Sequence, residues 1–112
     1  MLVFAAVIGE VPQEKETNLI DETVFYKIAA GEKYAFCELY EKTGNMIFSY
    51  ALSLLRNRED AEDAMQETYL KIRSAAHLYH PMGKPMAWIF TIARNVCLMK
   101  LRQQKHYLGV SI

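Results

Sequence analysis

Lys84, Trp88, Thr91, Asn95, Leu98 and Arg102 follow one another at intervals of three or four residues, the spacing that lines side chains along one stripe of a helix. Arg94 lies beside that stripe, and Tyr79 and His80 precede it in a segment interrupted by Pro81, Gly83 and Pro85. Cations, an amide and aromatic rings that converge on one end of a domain have a definite chemistry. Arg and Lys neutralise phosphates, and Asn or Arg can read base edges. Aromatic faces stack on unpaired bases at roughly 1–3 kcal/mol each. A loop joined to such a helix can also hold a base turned out of its stack. The plainer reading makes Trp88 a core residue, and composition alone leaves both readings open.

A second constellation lies upstream. The stretch "NREDAEDAMQE", residues 57 to 67, holds five carboxylates, whereas Thr68 to Ile112 holds none. Glu59, Glu62, Asp63, Gln66 and Leu70 share one helical face. Like charges four residues apart repel by a few tenths of a kcal/mol, so the stripe fits a cationic partner. Its plainer reading is a solvated helix start that complements the helix dipole. The imbalance extends along the whole chain: Met1 to Leu70 carries all 13 acidic groups against 6 basic ones, and Lys71 to Ile112 carries 7 basic groups and no acidic one. The formal net charge of zero therefore splits into −7 and +7. Such a division implies two faces that meet partners of opposite charge, one cationic and one anionic. Lys71 and Arg73 open the basic half.

These side chains need helices to position them. From Asn18 onward the apolar residues recur at three and four, with no strict alternation, which predicts an all-α domain. A first helix fits Asp21 to Ala30 and ends at Gly31. A second fits Glu32 to Leu55, with Ala35, Phe36, Leu39, Tyr40, Ile47, Phe48, Ala51, Leu52 and Leu55 on one side. Gly44 and Asn45 in its middle leave open a bend or a break into two helices. A third starts at the cap Asn57, has Glu59 and Asp60 in its first turn, and buries Ala61, Ala64, Met65, Thr68, Tyr69 and Ile72. Pro85 suits the first turn of a fourth helix, which runs to about Lys105 and turns Ile89, Ile92, Ala93, Val96 and Met99 inward. The expectation is a compact bundle of about four helices.

The remaining composition sets bounds. A chain of 112 residues with 52% apolar content supports one domain. Cys37 and Cys97 stand far apart, without a CxxC or a secretory pattern, which predicts reduced thiols in a cytoplasmic protein. The run "MLVFAAVIG" lacks a basic leader and is far short of the ~20 residues that span a bilayer, so it reads as a tail, followed by the solvated connector "EVPQEKET". Neither a nucleophile with its base nor a cofactor motif is evident, and His77 with His80 forms an HxxH pair without a nearby Cys or carboxylate to complete a metal site. Glu-x-x-His pairs of the di-iron bundle type are missing as well. The sequence therefore predicts a binding protein with no catalytic residue, metal or cofactor.

The segments "FCELYEKTGNMIFSYALSLLRNREDAEDAMQETYLKI" and "AWIFTIARNVCLMKLR" together resemble region two of a bacterial sigma factor, in particular the extracytoplasmic-function (ECF) group. The resemblance runs from about Ile20 to Arg102. Its most specific pieces are Asp60-Ala61-Glu62-Asp63 with Gln66-Glu67, and Ala87-Trp88-Ile89 with Ile92-Ala93-Arg94-Asn95 and Arg102. It implies that the acidic helix docks on the clamp helices of the largest subunit of core RNA polymerase, through Asp60, Glu62, Asp63, Gln66 and Glu67. It further implies that Lys71, Arg73, Tyr79, His80, Lys84, Trp88, Thr91, Arg94, Asn95 and Arg102 face promoter DNA at the minus-ten element and hold its non-template strand as the duplex opens. An anti-sigma factor is a further partner that such proteins often have, and no membrane contact is implied.

The expected organisation is a tail and connector over 1–18, the region-two-like domain over 19–106 and the start of a linker over 107–112, with region four outside the chain. One departure from the pattern is local: Met99 stands where members commonly carry Asp four residues after the position of Asn95. The competing reading is a helical protein-interaction module without DNA contact, in which Trp88 and the cations face a protein.

Overall fold

Glu22 and Asp21 stand at the entry to the first helix of a computed structural model that describes residues 20–81 and 83–107. The expected tail over 1–18 and most of the linker over 107–112 lie outside the described residues. Four α-helices follow in order: α1 (Thr23–Ala29), α2 (Lys33–Leu55), α3 (Arg58–Ala75) and α4 (Pro85–Tyr107), with a short 3₁₀ turn over Ala76–Leu78. No strand occurs among the described residues, in agreement with the all-α expectation.

Each boundary has a local cause. The Asp21 carboxylate accepts the Thr23 N–H at 3.0 Å, which satisfies one of the donors at the start of α1. At the other end Gly31 takes φ +89°, while its N–H donates to the Ile28 carbonyl and the Glu32 N–H donates to the Lys27 carbonyl. This paired closure satisfies two terminal carbonyls and needs the left-handed backbone that glycine adopts without strain. Helix α2 ends differently: Arg56 occupies the left-handed region at φ 56° and donates its N–H to the Leu52 carbonyl at 2.8 Å. Asn57 then caps α3, its side chain accepting the Asp60 N–H at 2.9 Å, an interaction of about 1 kcal/mol. Two residues thus reverse the chain between α2 and α3.

The possible break at Gly44 and Asn45 does not occur, and α2 is continuous over 23 residues. Gly44 is buried beneath the Tyr40 ring, which leaves room for that ring to fold back along its own helix and meet Tyr69 edge-on, with centroids 5.0 Å apart. The buried face of α3 is the expected one: Ala61, Ala64, Met65, Thr68, Tyr69 and Ile72. It packs on α2 around a polar pair, Thr43 and Tyr69, whose oxygens lie 2.5 Å apart. Because Thr43 Oγ1 donates to the Leu39 carbonyl, the Tyr69 hydroxyl is the donor to Thr43. Burial pushes the Tyr69 pKa up to about 12 and keeps that proton in place.

Helix α4 crosses α2 and α3, and its inward face departs from the expectation. Met86, Ile89, Phe90, Ala93, Val96 and Cys97 are buried, Ile92 is half-buried, and Met99 is 51% exposed. The helix is rotated so that Phe90 meets Tyr50 edge-to-face at 5.1 Å and Cys97 enters a cluster with Ala51, Leu55, Ala61 and Ala64. Rings are larger than the Met99 side chain and remove more apolar area from water, so the Phe90 side goes inward.

Candidate functional site

Helix α3 presents its acidic stripe outward. Glu59, Glu62, Asp63, Gln66 and Glu67 are exposed, and Leu70, at the end of the same stripe, is 54% exposed. Glu62 faces the Arg58 guanidinium at 3.7 Å, and Arg58 also lies over the Phe48 ring at 5.2 Å. This exposed ion pair contributes at most about 1 kcal/mol to the fold. Among the described residues neither Asp63 nor Glu67 has an ion-pair partner. Asp60 differs from the rest of the set. It is half-buried, and its Oδ2 accepts Gln104 Nε2 at 2.5 Å, so one side of its carboxylate ties α3 to α4.

The acid-free half is assembled from the end of α3, the connecting segment and α4. Lys84, Thr91, Asn95 and Arg102 are exposed, while Trp88 and Arg94 are half-buried. The Thr91 hydroxyl donates to the Ala87 carbonyl at 2.8 Å. Trp88 packs edge-on against Phe25 at 5.0 Å and Tyr79 at 5.1 Å, as the core reading expects, yet keeps part of its surface in solvent. Tyr79, read from the sequence as a ring able to stack on a base, is only 7% exposed. Its ring lies 4.4 Å from Phe25 and its hydroxyl donates to the Glu22 carboxylate, so its face belongs to the core. His80, two residues past the 3₁₀ turn, is exposed.

Lys71 and Arg73 part company. Two steps along a helix turn a side chain by about 200°. Lys71 accordingly lines a cleft of about 400 Å³ between α3 and α4, together with Glu67, Asn95, Ile92 and Met99. Arg73 instead lies over the Phe36 ring at 5.7 Å, on the α2 side. The structure thus brings Lys71 and Asn95 together, with an apolar floor between them, and sets Arg73 apart. Met99 stands at the lip of this cleft, which accounts for its exposure.

Sequence reasoning missed Glu22 and Gln104, because their partners lie 57 and 44 residues away along the chain. It placed Leu70 on the acidic face without giving it a role. Among the described residues no group of three or more His, Cys, Asp or Glu side chains could hold a metal ion. No helix among them is long and apolar enough to cross a membrane.

Helix α3 thus carries an outward acid stripe, and an acid-free α4 lies beside it. Residues 39–107 match the Sigma-70 region 2 family. The chain belongs to that family, within its extracytoplasmic-function group. Relatives include the ECF RNA polymerase sigma factor SigK of Mycobacterium sp. (strain KMS), 27% identical over 85 residues that cover 75% of this chain and 44% of the relative. SigM of Bacillus subtilis (strain 168) is 32% identical over 75 residues, covering 66% and 45%. SigM of Mycobacterium tuberculosis (strain ATCC 25618 / H37Rv) is 32% identical over 76 residues, covering 68% and 39%. The chain spans less than half the length of these curated relatives. No solved structure matches the chain at a significant level.

Proposed function

We propose that this domain acts in transcription initiation as the core-binding and promoter-opening part of an ECF sigma factor. The observation that carries the reading is the division of charge between neighbouring helices. Glu62, Asp63, Gln66 and Glu67 line the outer face of α3, and Lys84 leads into an acid-free α4 that bears Trp88, Arg94, Asn95 and Arg102. The names of the relatives, sigma factors of RNA polymerase, support it.

On this reading the acid stripe docks on the basic clamp helices of the largest polymerase subunit. Electrostatic attraction supplies approach rate and orientation, and Leu70, exposed at the end of the stripe, supplies an apolar contact. The acid-free half then captures the non-template strand of the minus-ten element. Lys84 and Arg102 meet phosphates, and the exposed part of Trp88 offers a stacking surface. The cleft between Lys71 and Asn95 is wide enough for a polar group to enter over an apolar floor. Opening the duplex needs no covalent step: the domain stabilises unstacked bases, and polymerase contributes the remaining binding energy. An anti-sigma factor would compete for the same charged faces.

The test is retention of core RNA polymerase, or of its clamp-helix fragment, by this chain and by the double variant Asp63→Lys, Glu67→Lys. Binding by the wild type that is lost in a folded variant supports docking through the stripe. Equal binding by both removes the stripe from the interface. Retention of polymerase without any affinity for single-stranded DNA would favour the protein-interaction module instead.

A further inference from the structure

Glu22 precedes α1, outside the acid stripe, and its Oε2 accepts two hydrogen bonds from the segment that leads into α4. One comes from the Tyr79 hydroxyl and the other from the Gly83 backbone N–H at 2.9 Å. These two donors bracket His80, and Gly83 immediately precedes Lys84. His80 and Pro81, which follow Tyr79, belong to no helix, and Pro81 has no N–H to give to a local hydrogen-bond ladder. Gly83 adopts φ +75°, with nothing within 4 Å of where a Cβ would stand. Glycine is therefore required there by the backbone angle, not by crowding. The same part of the chain grips the segment a second time, because Phe25, three residues after Glu22, packs on both Tyr79 and Trp88.

A carboxylate beside a phosphate-binding loop weakens the attraction of that loop for DNA. Its presence here calls for a compensating role, and the two hydrogen bonds provide one. We propose that Glu22 is a positioning residue for the single-strand-binding loop: it fixes where His80 and Lys84 stand relative to Trp88, and so governs discrimination among bases. This inference rests on the promoter-capture reading given above.

Charge and geometry predict opposite outcomes, which makes the role testable. Removing a negative charge raises affinity for any single strand, whereas releasing the loop lowers the preference for the correct one. Glu22→Gln removes the charge and keeps an acceptor oxygen; Glu22→Ala removes both. The probe is single-stranded DNA enriched from a randomised pool by the wild-type chain on core polymerase, compared with the same strand scrambled, in a filter-binding assay. The expected result is a ratio of affinities about tenfold lower for Glu22→Ala and within about twofold of wild type for Glu22→Gln, a tenfold change being about 1.4 kcal/mol. Core polymerase binding stays unchanged in both, and the Gly83 amide loses protection from hydrogen exchange in the alanine variant alone.

An unchanged ratio in a folded Glu22→Ala protein overturns the proposal. Equal loss in both variants overturns it as well, since charge and not hydrogen bonding would then matter. Failure of the wild-type chain to enrich any strand removes the promoter-capture reading itself, an outcome distinct from either of these.

Discussion

Gln104 Nε2 donates to Asp60 Oδ2 at 2.5 Å, so the first turn of α3 is held by a side chain near the far end of α4. Asp60 is already engaged at its backbone N–H by Asn57, and the two contacts together define how the acidic helix begins.

Gln104→Ala leaves the Asp60 carboxylate half-buried without that donor. The expected loss is about 1 kcal/mol, or a fall in Tm of about 4 °C for a domain of this size. Thermal melting followed by circular dichroism checks it, and an unchanged Tm would make the contact energetically neutral.

Arg56 holds a left-handed backbone that costs a non-glycine residue about 1 kcal/mol or more. Arg56→Gly should therefore stabilise the domain by about 0.5 kcal/mol after the extra freedom of glycine in the unfolded chain is offset. Arg56→Val should destabilise it, since a β-branched residue tolerates this conformation poorly. Urea midpoints compared at equal m-value decide both.

Reversing charge at Asp63 and Glu67 should weaken binding to the polymerase clamp helices at least about tenfold at low salt, with less effect at high salt. Helix content should not change, because both side chains are exposed. Titrations at two salt concentrations, with circular dichroism of each variant, separate docking from folding.

On the proposed DNA side, if about four cations touch phosphates, the slope of log affinity on log salt should be near −3, at roughly −0.7 per contact on a single strand. Arg102→Ala should reduce the magnitude of that slope by about 0.7. An unchanged slope would place Arg102 outside the phosphate path.

Alkaline solution should destabilise the fold progressively. Burial raises the Cys97 pKa to about 11 and the Tyr69 pKa to about 12, from ordinary values of 9.0 and 10.0. In both cases the folded state holds its proton more tightly than the unfolded chain. The resulting stability is complete below the unfolded pKa and is lost as pH rises through the folded one. Stability therefore declines between about pH 9 and 11 through Cys97, and between about 10 and 12 through Tyr69. Melting curves across this range check the trend, and Cys97→Ala should reduce the loss at its lower end, between about pH 9 and 10.

The inward face of α3 was legible because Ala61, Ala64, Met65, Thr68, Tyr69 and Ile72 alternate cleanly with charged neighbours. Helix α4 carries apolar side chains on nearly every side, from Met86 through Phe90, Ile92 and Cys97 to Met99, so periodicity could not select which of them turns in. Packing of Phe90 on Tyr50 makes that selection, a contact between distant segments. The same holds for Tyr79: its residue type and loop position fit a stacking ring, and only its juxtaposition with Glu22 and Phe25 places it in the core. The acid stripe needed no tertiary information, since one helix contains all of it. The continuity of α2 through Gly44 depended on whether Tyr40 could fold over that glycine, which is a question of packing.

Trp88 is the sole tryptophan of the chain; it packs on Tyr79, whose hydroxyl Glu22 accepts, and belongs to the helix stripe that bears Asn95 and Arg102. Its edge contacts with Phe25 and Tyr79 leave part of it in solvent, where its emission would respond both to loop displacement and to a base stacked on its free surface. The domain thus contains its own optical reporter. Release of the loop exposes the indole and shifts its spectrum to the red, whereas a stacked base quenches it, so one unlabelled titration distinguishes the two events.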